Sequence, residues 1–211
     1  MSLLHRLKLR RRARPSDKPE GIEHGGLPVT TDWVWRPKLW HSTANPALSG
    51  LSSDTALSNE VKLFHYAQYA QITSRQIKQT AYQDAPAFGL SLDVYEFNGG
   101  YISLEIRLPH CVTETLSHQH LIRMDWHLTL TKPLRAFARL NIKKNGPNTT
   151  NIIVPLSINT KTKWAQFDLS TVKFAKRQLK NIWVDLIFGT LALNKISLQD
   201  ITFCRQRRAC I

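Results

Sequence analysis

The segment Lys180–Arg205, KNIWVDLIFGTLALNKISLQDITFCR, constrains the fold more than any other part of the chain. Within it, Ile182–Phe188 and Lys195–Phe203 alternate apolar with other side chains at a period near two. That is the period of a strand with one face toward a core. The two runs are therefore expected to be a strand pair that closes the fold. On this reading Asp185, flanked by Val184 and Leu186, falls on the face opposite them as a surface or turn-side group.

The same period recurs upstream. In AFGLSLDVYEF, residues Phe88, Leu90, Leu92 and Val94 share one side and Ser91, Asp93 and Tyr95 the other. Asn98–Gly100, NGG, has the composition of a hairpin turn. YISLEIRLP then returns with Ile102, Leu104, Ile106 and Leu108 on one face. Glu60–Thr80 reads two ways: its Gln and Ala suit a helix, but Val61, Leu63 and His65, then Ile72, Ser74 and Gln76, suit two strands broken near Tyr69. Strands are favoured because everything downstream is β. LIRMDWHLTL, LRAFARLNIKK, TNIIVPLSI and TKWAQFDLS follow as strands, with Pro155 marking an edge or a bulge. VKFAKRQLKN has room for a helical turn or two, and His110–His120 is a connecting loop. The spacing gives about eight to ten short strands with no αβ alternation. The fold class expected is all-β, an antiparallel β-sandwich of jelly-roll type.

Three zones precede or make up that domain: 1–26, a basic arm and linker; 27–60, a tryptophan-rich strap and loop packed on the core; and 61–211, the sandwich. At 211 residues the chain is long enough to bury one good core without disulfides. Cys111, Cys204 and Cys210 are odd in number and widely spaced, which suits a reducing compartment. The formal net charge of +14 draws the chain toward something anionic. Part of it sits in Arg6, Lys8, Arg10, Arg11, Arg12 and Arg14, ahead of Pro15. Two readings of this arm are open: a short basic amphipathic helix that meets an anionic membrane or nucleic acid, or a solvated tail. Its arginines interrupt every apolar run before a signal-peptide core can form, and no run reaches the roughly 18 apolar residues of a spanning helix. A cytoplasmic location, with the inner membrane surface as an anchoring place, is the expectation.

Residues able to carry chemistry fall into a few groups. Trp33, Trp35 and Trp40 are half of the six tryptophans and lie within eight residues. They can form a stacking platform for sugar rings or bases, or anchor a strap into the core. In LRAFARLNIKK, inward Leu134, Ala136, Ala138, Leu140 and Ile142 leave Arg135, Phe137, Arg139, Asn141 and Lys143 on the outer face. Such a stripe can meet phosphates or acidic sugars, or be an ordinary solvated face. Cys111, His118 and His120 crowd one loop, yet match no closed zinc spacing, so no metal is expected there. Asp125, Asp168, Asp185 and Asp200 are potential acids; Asp168 and Asp200 sit where strands end and suit turn-capping or bridging a calcium ion. A Gly-rich phosphate loop, a G-x-S-x-G elbow and an H-E-x-x-H pair are all missing, which argues against an enzyme.

From Leu121 onward the order of features, RAFARLNI, TKWAQFDLS, NIWVDLIF and KISLQDITFCR, resembles the non-catalytic jelly rolls of the carbohydrate-binding-module and galactose-binding-like type. More closely, APAFGLSLDVYEFNGGYISLEIRLP, HLIRMDW, FARLNIKKNGPN and WVDLIF resemble an uncharacterised alphaproteobacterial family, a domain of unknown function. The first resemblance implies a binding module with a concave sheet face and, as an option, a structural calcium held by carboxylates. No other cofactor is expected. The reading favoured is a non-catalytic module for a glycan or other polyanion, using Arg135, Phe137, Arg139 and Asn141 with Trp33, Trp35 and Trp40. The alternative is an intracellular adaptor held by its basic termini, with a protein partner on the sandwich.

Overall fold

The computed structural model describes residues 26–44, 47–79, 86–158, 163–174, 179–189 and 193–208. The basic arm with Arg6, Lys8, Arg10, Arg11, Arg12 and Arg14, the residue Cys210, and residues 175–178 of the expected helical turn lie outside them. The strands are β1 (Thr31–Trp35), β2 (Leu48–Ser49), β3 (Thr55–Ala56), β4 (Val61–His65), β5 (Ala70–Lys78), β6 (Phe88–Phe97) and β7 (Tyr101–Arg107). They continue as β8 (His120–Leu130), β9 (Ala136–Lys144), β10 (Thr149–Leu156), β11 (Trp164–Asp168), β12 (Leu179–Gly189) and β13 (Asn194–Arg207). A 3-10 turn, Lys38–Trp40, follows β1, and one short helix, α1 (His110–Thr115), occupies the expected His110–His120 loop. Among the described residues no helix is long and apolar enough to cross a membrane.

Two antiparallel sheets face each other. One runs β11-β8-β13-β6-β5-β2, with β1 also paired to β13; the other runs β10-β9-β12-β7-β4-β3. The β-sandwich read from the sequence is present, Glu60–Thr80 does form two strands, and β10 with its Pro155 is an edge strand. Two expected pairings are corrected. β12 and β13 are not partners: β12 pairs with β7 and β9, and β13 with β6 and β8, in opposite sheets. Likewise β6 and β7 form no hairpin, for β6 pairs with β5 and β13. Period two identifies a strand and its buried face, but hairpins and arches between sheets share that pattern.

The NGG sequence makes an arch. Neither Gly99 nor Gly100 takes the positive φ of a hairpin turn. Gly99 is there for space, because a Cβ would collide with the backbone carbonyl of Tyr66. The Asn98 side chain accepts from Tyr69 N at 3.0 Å, and Asn98 N donates to Tyr69 O at 3.2 Å, stitching this arch to the one between β4 and β5.

Inward side chains of both sheets make one core, in which Trp40, Phe167, Phe188 and Phe203 are the largest fully buried groups. The strap is part of it. β1 adds to β13, Trp35 lies 5.8 Å from Phe203, and fully buried Trp40 donates its indole N–H to Leu198 O at 3.1 Å. Two ion pairs fix the strap to β13: Arg36 to Asp200 at 2.9 and 2.8 Å, and Asp32 to Arg205 at 2.8 and 3.2 Å.

Next to the second pair, buried His120 accepts at Nδ1 from Ser117 N at 3.0 Å, with Asp32 Oδ2 4.0 Å from its other ring nitrogen. Burial, with the Arg205 guanidinium adding to it, lowers its pKa below the ordinary 6.5. A folded-state value below the unfolded one means that the native state binds fewer protons between the two. Stability is therefore expected to fall as pH drops below 6.5 toward the lowered value, and His120→Asn, which keeps an acceptor near Nδ1, to flatten that limb. Urea unfolding at a series of pH values measures it; an equal limb in His120→Asn contradicts the assignment.

Candidate functional site

The outer face of the six-stranded sheet combines aromatic side chains with fixed polar groups. Its layout follows from register. Opposite residues of antiparallel strands share a face, so Pro155, Phe137, Ile187, Ser103 and Phe64 form one row across β10, β9, β12, β7 and β4. A second row, two residues along, is Ile153, Arg139, Asp185, Glu105 and Lys62. A third is Asn151, Asn141, Trp183 and Arg107. With about 4.8 Å between strands, Phe137 and Phe64 stand about 14 Å apart along the first row.

Phe137 is 39% exposed, and Phe64, Ile187 and Trp183 are half-buried. The polar rows are locked by their own contacts. Arg139 donates to Asp185 Oδ2 from Nε at 3.0 Å and from a terminal nitrogen at 2.9 Å, and Asn141 donates to the same oxygen at 2.8 Å and to Arg139 O at 3.1 Å. Arg107 donates to Glu105 at 3.3 Å, and Lys62 pairs with Asp54 at 2.7 Å. Lys62 Nζ also lies 6.0 Å from the Phe64 ring centroid. The face thus presents apolar ring surface beside donors and acceptors whose directions are set in advance.

Of the residues singled out in the sequence, Phe137, Arg139 and Asn141 share this face. Arg135 immediately precedes β9 and is exposed, its carbonyl accepting from Gly189 N at 3.0 Å. Asn141 is buried and orients Asp185. Asp185 is not a surface or turn-side group: it is buried in mid-strand as the acceptor for both neighbours. The three strap tryptophans lie elsewhere. Trp40 is enclosed in the core and offers no free ring, while Trp33 and Trp35 stack on each other with centroids 6.4 Å apart and pack partly buried against the core. Cys111 and His118 are exposed and His120 is held by Ser117. No group of three or more His, Cys, Asp or Glu among the described residues is placed to hold a metal ion. Asp168 does cap a turn, accepting from Ser170 N at 2.8 Å, whereas Asp200 lies within β13 on Arg36.

Sequence reading missed Trp183, Ile187, Phe64, Glu105 and Arg107 as members of the face. One signal was available: with Ile182, Val184, Leu186 and Phe188 inward, strand parity puts Trp183, Asp185 and Ile187 outward together. Their meeting with Phe137 and Phe64 depends on register, which parity does not supply.

Residues 8–211 match the sequence profile described as "Family of unknown function (DUF6478)". The chain belongs to this family. No curated protein matches the DUF6478 chain. Among solved structures it is similar to the family 11 carbohydrate-binding module of the cellulosomal cellulase Lic26A-Cel5E of Clostridium thermocellum, with TM-score 0.40, 10% identity, and 77% of this chain and 95% of that one covered. It is also similar to the C-terminal family 22 carbohydrate-binding module of Clostridium thermocellum Xyn10B, with TM-score 0.41, 8% identity, and coverage of 84% and 99%. A third similarity, at TM-score 0.46 and 7% identity, is to the enzymatically active domain of bacteriophage CBA120 tailspike protein 4. There the alignment takes in 68% of the DUF6478 chain and 19% of the tailspike chain.

Proposed function

We propose that this protein is a non-catalytic glycan-binding module whose ligand lies on the outer face of the six-stranded sheet, across β9, β12, β7 and β4. The observation that carries the reading is the in-register row of Phe137, Ile187 and Phe64 beside the ion-paired row of Arg139, Asp185, Glu105 and Lys62. A pyranose ring has an apolar C–H face and an equatorial belt of hydroxyls. The first stacks on exposed aromatic area, and the second is met by donors and acceptors already held in place, at little entropic cost. Matched charges refine the ligand: Arg139, Arg107 and Lys62 each have an acidic partner. This favours an uncharged glycan over the polyanion suggested by overall charge.

Affinity electrophoresis against neutral polysaccharides (mixed-linkage β-glucan, xylan, galactan) and acidic ones (pectin, heparin) tests this. Retention by a neutral polysaccharide is expected, insensitive to salt and weakened at least about tenfold in both Phe137→Ala and Trp183→Ala. Retention by none, or equal retention in both variants, overturns the reading. Retention by heparin alone, collapsing with salt, supports the arm-mediated alternative instead.

A further inference from the structure

The opposite face of the sandwich carries a second, separate group of the same chemistry. On the outer side of the seven-stranded sheet, register places Trp164 of β11 beside Asp125 of β8, and Asp125 beside Thr202 of β13. The neighbouring row is Gln166, Arg123 and Cys204. Trp164 is 43% exposed although Ala165 and Phe167 supply the inward positions of its strand, so the indole is not needed to fill the core. The Arg123 guanidinium lies 4.9 Å from its ring centroid. That guanidinium is held in turn by Asp125, through Nε at 3.1 and 2.9 Å and a terminal nitrogen at 2.5 Å. Beside Asp125, the hydroxyl of Thr202 is buried without a hydrogen-bond partner. Burial also raises the Asp125 carboxyl above its ordinary pKa, against the pull of Arg123, while its side chain stays 30% exposed and open to a further donor.

We propose that Trp164, Arg123 and Asp125 form a second saccharide subsite, which takes the ring of a neutral sugar on the indole and its hydroxyls on the Asp125–Arg123 pair. The inference rests on the glycan-binding reading for its ligand class, but on different residues. Arg123 is matched by Asp125, so this patch again suits an uncharged ligand. An added hydroxyl donor meets lone pairs that the partly exposed Asp125 carboxylate leaves open beside Arg123, and the indole supplies stacking area. Because the outer faces of two packed sheets point in opposite directions, one short oligosaccharide cannot reach both. The module is then bivalent and joins two glycan chains, with avidity on a polymer exceeding that of either face.

Indole N–H signals in a ¹⁵N–¹H NMR titration separate the two sites, with Trp164 and Trp183 assigned through Trp164→Phe and Trp183→Phe. The probes are the hexaoses of β-1,4-glucose, β-1,4-xylose and β-1,4-galactose. The Trp164 signal is expected to shift along its own saturation curve and to keep doing so in Trp183→Ala. Movement of Trp183 with Trp164 stationary, or a Trp164 response that vanishes in Trp183→Ala, overturns this inference and leaves the six-stranded face standing. Movement of Trp164 alone supports the inference and overturns the reading of the other face. If neither moves with any of the three, both fall.

Discussion

Asp200→Ala is expected to destabilise the fold by about 3–5 kcal/mol, and Arg36→Met by about 1–2 kcal/mol. The asymmetry comes from burial. The Arg36 side chain is 3% exposed and the Asp200 side chain 27% exposed. Removing the carboxylate strands a guanidinium that water cannot reach; removing the guanidinium leaves a carboxylate that water partly solvates. The fork has no second acid to take over, since Asp200 is the only side chain that accepts from Arg36 among the described residues. Replacing both, Arg36→Met with Asp200→Leu, is expected to restore most of the loss, because neither apolar group leaves an unpaired buried charge behind. The variant also reports on the strap. Arg36 falls in sequence between the stacked Trp33–Trp35 pair and buried Trp40, so the near-UV circular dichroism of Asp200→Ala should weaken before global unfolding. Urea midpoints for the three variants decide the matter. A larger loss for Arg36→Met than for Asp200→Ala contradicts it.

Much of the architecture was legible because one physical signal recurs along the chain. Strands with one buried face alternate, and β6, β7, β9 and β12 do so with few exceptions, so their existence and inward residues follow from the residues alone. Pairing was not legible. β12 and β13 are separated by four residues, 190–193, which is enough for a hairpin and also enough to cross between sheets. NGG carried the composition of a positive-φ turn, yet at Gly99 the requirement is room beside Tyr66 O, which depends on β4 and β5 arriving there. The same limit applies to the candidate face. Its outward residues could be assigned strand by strand, but Arg139 and Asp185 lie 46 positions apart and meet only because β9 and β12 adopt one register. Without that register, Arg135, Arg139 and Lys143 read as a basic stripe, either a binding surface or an ordinary solvated face. With it, Arg139 becomes an ion-paired, oriented donor on Asp185, while Lys143 donates to Pro147 O and Arg135 stays exposed just before the strand.

Arg139→Ala is expected to cost about 3 kcal/mol, more than Asp185→Asn at about 1–2 kcal/mol, although both break the same pair. The Asp185 side chain is 8% exposed and that of Arg139 39%. Without Arg139 the buried carboxylate keeps one side-chain donor, Asn141 at 2.8 Å, which does not offset a full charge. Without the Asp185 charge, the guanidinium turns outward to water. This ordering bears on how glycan binding is tested. Loss of binding in Arg139→Ala mixes a missing ligand contact with a loosened β9–β12 ladder, whereas Phe137→Ala trims a ring already exposed to solvent and leaves the ladder intact. Arg139→Lys keeps a cation beside Asp185 but loses the planar fork, so its stability should fall between wild type and Arg139→Ala while its glycan affinity falls with that of Phe137→Ala. Denaturation midpoints and affinity measured on the same preparations separate the two effects. If Asp185→Asn proves the more damaging change, the carboxylate is solvated in solution and the face is less rigid than its hydrogen bonds imply.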